Sequence, residues 1–200
     1  MATKQQIKSR QTMDELMASA LELFAAQGYR ETSVAEITRR AGYSKGSFYR
    51  CWPSKDELFL QILERKLSQY RTERDRRIGE ARDLEEALRI IWDFLGSMVA
   101  DRNWAKVFLE FTVHASRDQD LRERLGESQH RLSESLFAEL VEPFVTSGYP
   151  PEKIGALNTA LFEGFMVHNA LEIGVLRFED VREAAVALAL DKGLARGARG

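Results

Sequence analysis

The residue types that could do chemistry in this chain are three histidines, one cysteine and a short run rich in glycine, serine and lysine. His114, His130 and His168, set among many acidic residues, invite a metal site inside a helical bundle. Such sites use a Glu-x-x-His spacing that puts both ligands on one helix face. Here Glu110 precedes His114 by four residues and Glu163 precedes His168 by five. Cys51 stands alone, so neither a thiolate cluster nor an intrachain disulfide can form. It reads either as a small half-buried residue or as a redox switch, with Arg50 and Lys55 as sequence neighbours. The run Gly42-Tyr43-Ser44-Lys45-Gly46-Ser47 has the composition of a phosphate loop, but no strand precedes it and its lysine spacing is wrong for one. Catalysis, a metal and a cofactor are therefore not expected. The same run does suit contact with DNA. Small residues let backbone come close, lysine supplies charge, and a helix N-terminus presents N–H groups to phosphate.

The elements that must position this run all read as helices. Proline is scarce, glycines fall at segment ends, and no stretch alternates apolar and polar residues. The expected fold is all-α with about nine helices. The first spans about 12–27, capped by Thr12 and stopped by Gly28, with Met13, Leu16, Met17, Ala20, Leu21 and Phe24 on one face. Ser33-Val34-Ala35-Glu36 is a capping box that opens a second, short helix ending at Gly42. Its inward residues are Val34, Ile37 and Ala41. Ser44 caps an equally short third helix, with Phe48 and Trp52 on one side, which Pro53 ends. Ser54-Lys55-Asp56-Glu57 is a second capping box, launching a long fourth helix to about residue 78 with Leu58, Phe59, Ile62, Leu63, Leu67 and Tyr70 as its stripe. Further helices are expected at about 83–100, 103–116, 119–146, 151–174 and 180–195, with Arg196 to Gly200 frayed. The polar run Arg71–Arg77 reads as a solvated helix face. Two short helices joined by a glycine turn and braced by a longer one have the proportions of a helix-turn-helix. In such a unit the second short helix enters the major groove.

Charge agrees with that placement. Residues 1–55 carry nine basic and five acidic side chains, a net of +4, while the whole chain is at −2, which leaves −6 for the rest. A basic head on an acidic body suits a protein that touches DNA with one end. The domain division expected is therefore 1–55 for DNA and 56–200 for a helical body. No stretch is long and apolar enough to span a bilayer, the polar N-terminus lacks a secretory signal, and one cysteine fits a reducing compartment, so the expected location is cytoplasmic with no membrane partner.

At this point the chain resembles the TetR family. Ala25-Ala26-Gln27-Gly28-Tyr29-Arg30-Glu31-Thr32-Ser33-Val34-Ala35-Glu36-Ile37 is similar to that family's end of helix one and start of helix two. Ala41-Gly42-Tyr43-Ser44-Lys45-Gly46-Ser47-Phe48-Tyr49-Arg50 is similar to its turn and recognition helix, and Trp52-Pro53-Ser54-Lys55-Asp56-Glu57-Leu58 to the start of its fourth helix. Thr38, Cys51 and Trp52 depart from the residues commonly found there, and none removes a DNA-facing group. The resemblance implies a dimeric regulator, most simply a repressor, that binds a palindromic DNA operator. It implies phosphate contacts for Thr32, Ser33, Tyr49 and Lys55, and groove-facing positions for Ser44, Lys45 and Ser47. Tyr43 would touch bases or sugars.

The resemblance also implies that the body binds a small-molecule effector and that its last two helices pair with a second subunit. Composition fits both roles. Phe94, Met98, Trp104, Phe108, Phe111, Phe162, Phe165 and Met166 supply apolar walls, and His114, Asn158, Glu163, His168 and Asn169 are the polar groups available to line a pocket. An aromatic stripe at helical spacing is more often core than ligand box. Glu163 suits either a cationic ligand or a salt bridge across a dimer. Ala156, Ala160 and Gly164 fall four apart on one helix face, and with Leu171, Ala184 and Leu188 they form the expected homodimer surface. The alternatives are a helix-turn-helix protein that senses nothing small, and a helical-bundle metalloenzyme.

Overall fold

The structure, a computed structural model, describes residues 3–133 and 151–190. The described residues form helices α1 (Lys4–Gln27), α2 (Val34–Ala41), α3 (Lys45–Tyr49), α4 (Lys55–Gly79), α5 (Leu84–Val99), α6 (Arg102–Ala115), α7 (Gln119–Ser133), α8 (Pro151–Ala170) and α9 (Phe178–Leu190). The expected extensions of α7 to 146 and of α9 to 195, the segment 196–200, and the side chains of Tyr70 and His130 lie outside the described residues. None of these helices is long and apolar enough to cross a membrane.

Local signals set most boundaries. Ser33 accepts from the Glu36 N–H while the Glu36 carboxylate accepts from the Ser33 N–H at 2.8 Å, a complete capping box. Gly42 ends α2 in the left-handed region at φ 74°, which a side chain would resist. Helix α1 differs from expectation. It starts eight residues early because Thr3 and Gln6 form a capping box, and Thr12 sits inside it, donating its hydroxyl to the Lys8 carbonyl. Lys4 to Gln11 have no apolar stripe, but lysine, glutamine and arginine extend a helix readily once it is capped. Ser54 caps α4, yet the box is only half formed, because Glu57 reaches Arg124 on α7 instead of its own N-cap. Helix α8 stops at Ala170, four residues short of Gly174, and Glu172 takes a positive φ in the loop that follows.

One core runs through the chain. Leu16, Phe24, Ile37 and Phe48 from the first three helices and Tyr29 from the turn after α1 join Phe59 and Leu63 of α4, Trp92 of α5, Phe111 of α6 and Met166 of α8 in a single buried cluster. Ile78, Ala87 and Ile90 form a smaller cluster where α4 meets α5. The Arg71–Arg77 run is not wholly solvated. Arg74 is buried, paired with Asp75 at 2.7 Å, and its guanidinium carbon lies 5.4 Å from the Phe94 ring centre.

The α4–α7 ion pair gives a pH-dependent prediction. Its hydrogen bond to Arg124 holds the Glu57 carboxyl below the usual glutamate value. A group depressed on folding stabilises fully above its unfolded pKa, and that stability is lost as pH falls through the folded value. Arg124→Ala is expected to cost about 0.5–1 kcal/mol at neutral pH, the lower part of that range because water reaches the pair. The cost should shrink as pH falls below the ordinary glutamate value and through the lower folded one, checked by urea unfolding across that range.

Candidate nucleic-acid interface

Helix α3 is a short rod of five residues. Ser44 caps α3 by accepting from the Ser47 N–H at 3.1 Å, and Phe48 and Trp52 anchor it in the core with ring centres 5.5 Å apart. What it leaves outside is Ser44, Lys45, Gly46, Tyr49 and Arg50, with Ser47 half-buried. Lys45 makes no ion pair or hydrogen bond among the described residues. Tyr49 is 55% exposed with its ring against the edge of Phe48. The Arg50 guanidinium donates to Ser47 Oγ at 3.2 Å. Gly46 has no internal reason to be glycine: a Cβ there would meet only Ser44 Oγ, at an ordinary 3.7 Å. Glycine inside a helix costs about 0.5–1 kcal/mol relative to alanine, and no contact within the fold offsets that cost here.

Three expected DNA contacts sit differently. Thr32 is fully buried; its hydroxyl donates to the Gly28 carbonyl at 2.8 Å, so its side chain cannot reach a phosphate. Lys55 points inward. Its ammonium donates to the carbonyls of Tyr29 at 2.6 Å and Thr32 at 2.7 Å and lies 4.3 Å from the Tyr29 ring centre, and burial lowers its pKa. Tyr43 is half-buried and its hydroxyl donates to Glu15 of α1 at 2.6 Å. Ser33 remains exposed at the α2 N-terminus. Lys55→Met is expected to lower stability by about 1–3 kcal/mol and to leave the salt dependence of DNA binding unchanged, since a phosphate-binding lysine would reduce that slope.

Sequence reasoning missed the joint that holds the head on the body. Gly28 ends α1 at φ 90°, turning the chain so that the N–H groups of Tyr29 and Arg30 both donate to the Glu110 carboxylate of α6, at 2.7 and 3.0 Å. A Cβ at Gly28 would sit 3.0 Å from that carboxylate. The buried Tyr29 hydroxyl donates to Asp56, which also faces His114 Nε2 at 3.1 Å; burial and the Asp56 hydrogen bond push the Tyr29 phenol far up. Glu110 lies 81 residues from Tyr29, and no local pattern announces the contact.

The expected ligand-lining residues fall into separate places. Phe111 is fully buried and stacks on Phe59 with ring centres 3.9 Å apart, and Trp104 also stacks on Phe59, at 5.6 Å, so these rings belong to the joint along with His114. Phe108 packs beside Trp104, Phe162 faces Trp92, and Phe94 meets Arg74. Met98 is partly buried against the core, while Met166 is within it. Asn158 is a core residue, accepting from the Trp92 indole at 2.8 Å. Phe165, His168 and Asn169 do share a cleft. Among the described residues no His, Cys, Asp or Glu cluster is placed to hold a metal ion. Burial pushes the Cys51 thiol up, opposite to what a redox-sensitive thiolate needs. Burial also pushes the Glu163 carboxyl up.

The surface expected to pair two subunits is uncovered. On α8 the positions Ala156, Ala160, Gly164 and Val167 are exposed, opposite the buried Ile154, Asn158, Phe162, Phe165 and Met166. Leu171 is 67% exposed beyond the helix end, Ala184 of α9 is exposed and Leu188 is half-buried.

Known proteins place this architecture. The family described as "Bacterial regulatory proteins, tetR family" matches residues 16–62, and that described as "BetI-type transcriptional repressor, C-terminal" matches residues 84–194. The HTH-type transcriptional regulator CymR of Pseudomonas putida is 26% identical over 92% of each chain. The regulator BetI of Brucella anthropi is 27% identical over 88% of this chain and 87% of its own. Some relatives match only locally: YwcC of Bacillus subtilis is 40% identical over a stretch that spans 28% of its length. Among solved structures, the fatty acid degradation regulator FadR of Bacillus halodurans superposes with a TM-score of 0.74 at 18% identity, over 90% of this chain and 94% of that one. FadR of Bacillus subtilis, solved with stearoyl-CoA, gives 0.70 at 15% identity, over 89% and 97%. These two show the same fold. With a helix-turn-helix head matched by one half of the family description and a helical body matched by the other, this chain belongs to the TetR family of helix-turn-helix transcriptional regulators.

Proposed function

We propose that the chain is a cytoplasmic repressor that binds a palindromic operator as a homodimer and is released by a small, largely apolar effector. The observation that carries the DNA part is α3. It is anchored by Phe48 and Trp52 and shows outward Lys45, Tyr49, the flanking Ser44 and Arg50, and a glycine that no contact inside the fold requires. Lys45 and Ser47 read bases in this proposal, while Ser33, Ser44 and Tyr49 hold phosphates, which fix register without reading sequence. The uncovered stripe Ala156–Ala160–Gly164 with Leu171, Ala184 and Leu188 supports pairing, because small residues let two helices approach closely. Two heads on one palindrome also multiply a weak single contact.

Release follows from the joint. Helix α4 begins in the head and continues into the body, and Glu110 ties the head's first turn to α6. An effector that moves α6 relative to α4 moves the heads off their spacing. It does so decisively only if it prefers that state by around 4 kcal/mol or more. Selection from random duplex DNA at physiological salt tests the proposal. The expected product is an inverted repeat with half-sites roughly 34–36 Å apart. Salt-sensitive binding with no enriched sequence would overturn it.

A further inference from the structure

We infer that the cleft between α5, α8 and α9 is a binding site for a small monocarboxylate with an apolar body, its carboxylate held by Asn169, His168 and Arg102. This rests on the reading of the body as an effector-binding unit. The cleft encloses about 810 Å³, within the roughly 300–1,000 Å³ usual for small-molecule sites. Its apolar lining is Val99 of α5, Phe165 of α8, Leu176 of the following loop and Phe178 of α9. Gly96 makes that lining possible: a Cβ there would lie 2.7 Å from the Phe178 ring, so only a glycine lets Phe178 close down on the α5 backbone.

Two of the lining residues carry unsatisfied polar atoms. Asn169 Nδ2 and His168 Nδ1 are both buried and without a hydrogen-bond partner. Buried donors are almost always satisfied, and one left alone destabilises the fold. An amide N–H can only donate, so its complement is an oxygen acceptor. Imidazole Nδ1 donates in its Nδ1–H tautomer, and the two oxygens of a carboxylate accept from both groups at once.

The rim selects the charge. Arg182 is held by Asp93 at 3.2 Å and Glu183 at 3.3 Å, and Arg177 by Asp180 at 3.5 Å. Arg102 is the most loosely held, its carboxylate neighbour Glu172 lying 3.9 Å away with both side chains 66% exposed. It can turn to a ligand with little loss. Glu172 and Glu179 also line the rim, and their charge repels phosphate esters and other polyanions while tolerating one negative charge beside Arg102.

Calorimetric titration of the full-length protein with octanoate, octanamide and octylamine tests this. Octanoate is expected to bind about tenfold or more tighter than octanamide, and octylamine not to bind, because a charge-assisted contact is the stronger one. Arg102→Ala and Asn169→Leu should each weaken octanoate by about tenfold or more. Asn169→Leu removes the orphaned donor, so its melting temperature should hold or rise while binding falls, which separates a lost site from a lost fold. Equal binding of acid and amide, octanoate binding that survives both substitutions, or no octanoate binding at all would overturn the inference. The same samples tested on DNA separate the two readings. Sequence-specific DNA binding without octanoate binding sinks the cleft alone, and octanoate binding without sequence-specific DNA binding sinks the regulator alone.

Discussion

Lys45→Glu is expected to lower affinity for the selected operator by at least about a hundredfold at physiological salt. The charge stands on the exposed face of α3, with no carboxylate holding it. In a symmetric dimer the change occurs twice, and each copy replaces attraction to the groove with repulsion. About 1.4 kcal/mol per head already multiplies to a hundredfold. Lys45→Ala separates charge from shape. Where both lysines neutralise phosphate charge, the slope of log affinity against log salt should become shallower by about 1.8, or 0.9 for each lysine. Where they bond to base edges instead, affinity should fall most on operators altered at the contacted positions. Neither substitution should move the melting temperature, since Lys45 touches nothing it would leave unpaired. Unchanged operator affinity for Lys45→Glu would remove α3 from the DNA interface.

How much of this was legible depends on how far each signal reaches along the chain. The caps at Ser33, Ser44 and Ser54 and the glycine turn at Gly42 are read correctly because donor and acceptor lie within four residues of each other. The early start of α1 was just as local, but a search for apolar periodicity passes over Lys4 to Gln11, which have none. The family resemblance implied outward contacts for Thr32, Tyr43 and Lys55, and tertiary neighbours turn all three inward. Lys55 finds carbonyls that the Gly28 turn leaves free, and Tyr43 finds Glu15 on another helix. The aromatic inventory was legible as composition and not as place. Phe111 and Phe165 look alike in sequence, yet one face of α6 packs on the head, and only the packing of α6 against α1 and α4 assigns Phe111 and His114 there. Arg74 reads as a surface charge by its neighbours Arg71–Arg77. It is buried because it continues the inward stripe of Leu63 and Leu67 on α4.

Phe59→Ala is expected to destabilise the whole chain by about 3–5 kcal/mol, the cost of emptying a large buried aromatic site. The ring is fully buried in the first turns of α4, and it touches both halves of the molecule. Phe24 and Tyr29 of the head lie 6.2 and 5.5 Å from it, centre to centre, while Phe111 and Trp104 of α6 lie at 3.9 and 5.6 Å. No neighbour can collapse into the space without leaving another contact, because each of these rings already packs on a second one. For a chain of this length the loss corresponds to a fall of about 6–20 °C in melting temperature. The form of the transition carries as much information as its midpoint. If residues 1–55 and 56–200 were coupled through this ring alone, removing it would split one unfolding step into two that shift unequally. A core common to both predicts a single transition that moves as one, followed by circular dichroism for the helices and by tryptophan fluorescence from Trp52 in the head and Trp104 in the body. Two separated transitions, or a cost below about 1 kcal/mol, would show that the head hangs on α4 alone. A single transition would mean that a shift of α6 is felt at Phe59 and passed to Tyr29, so that the body cannot rearrange around a ligand and leave the recognition helix where it was.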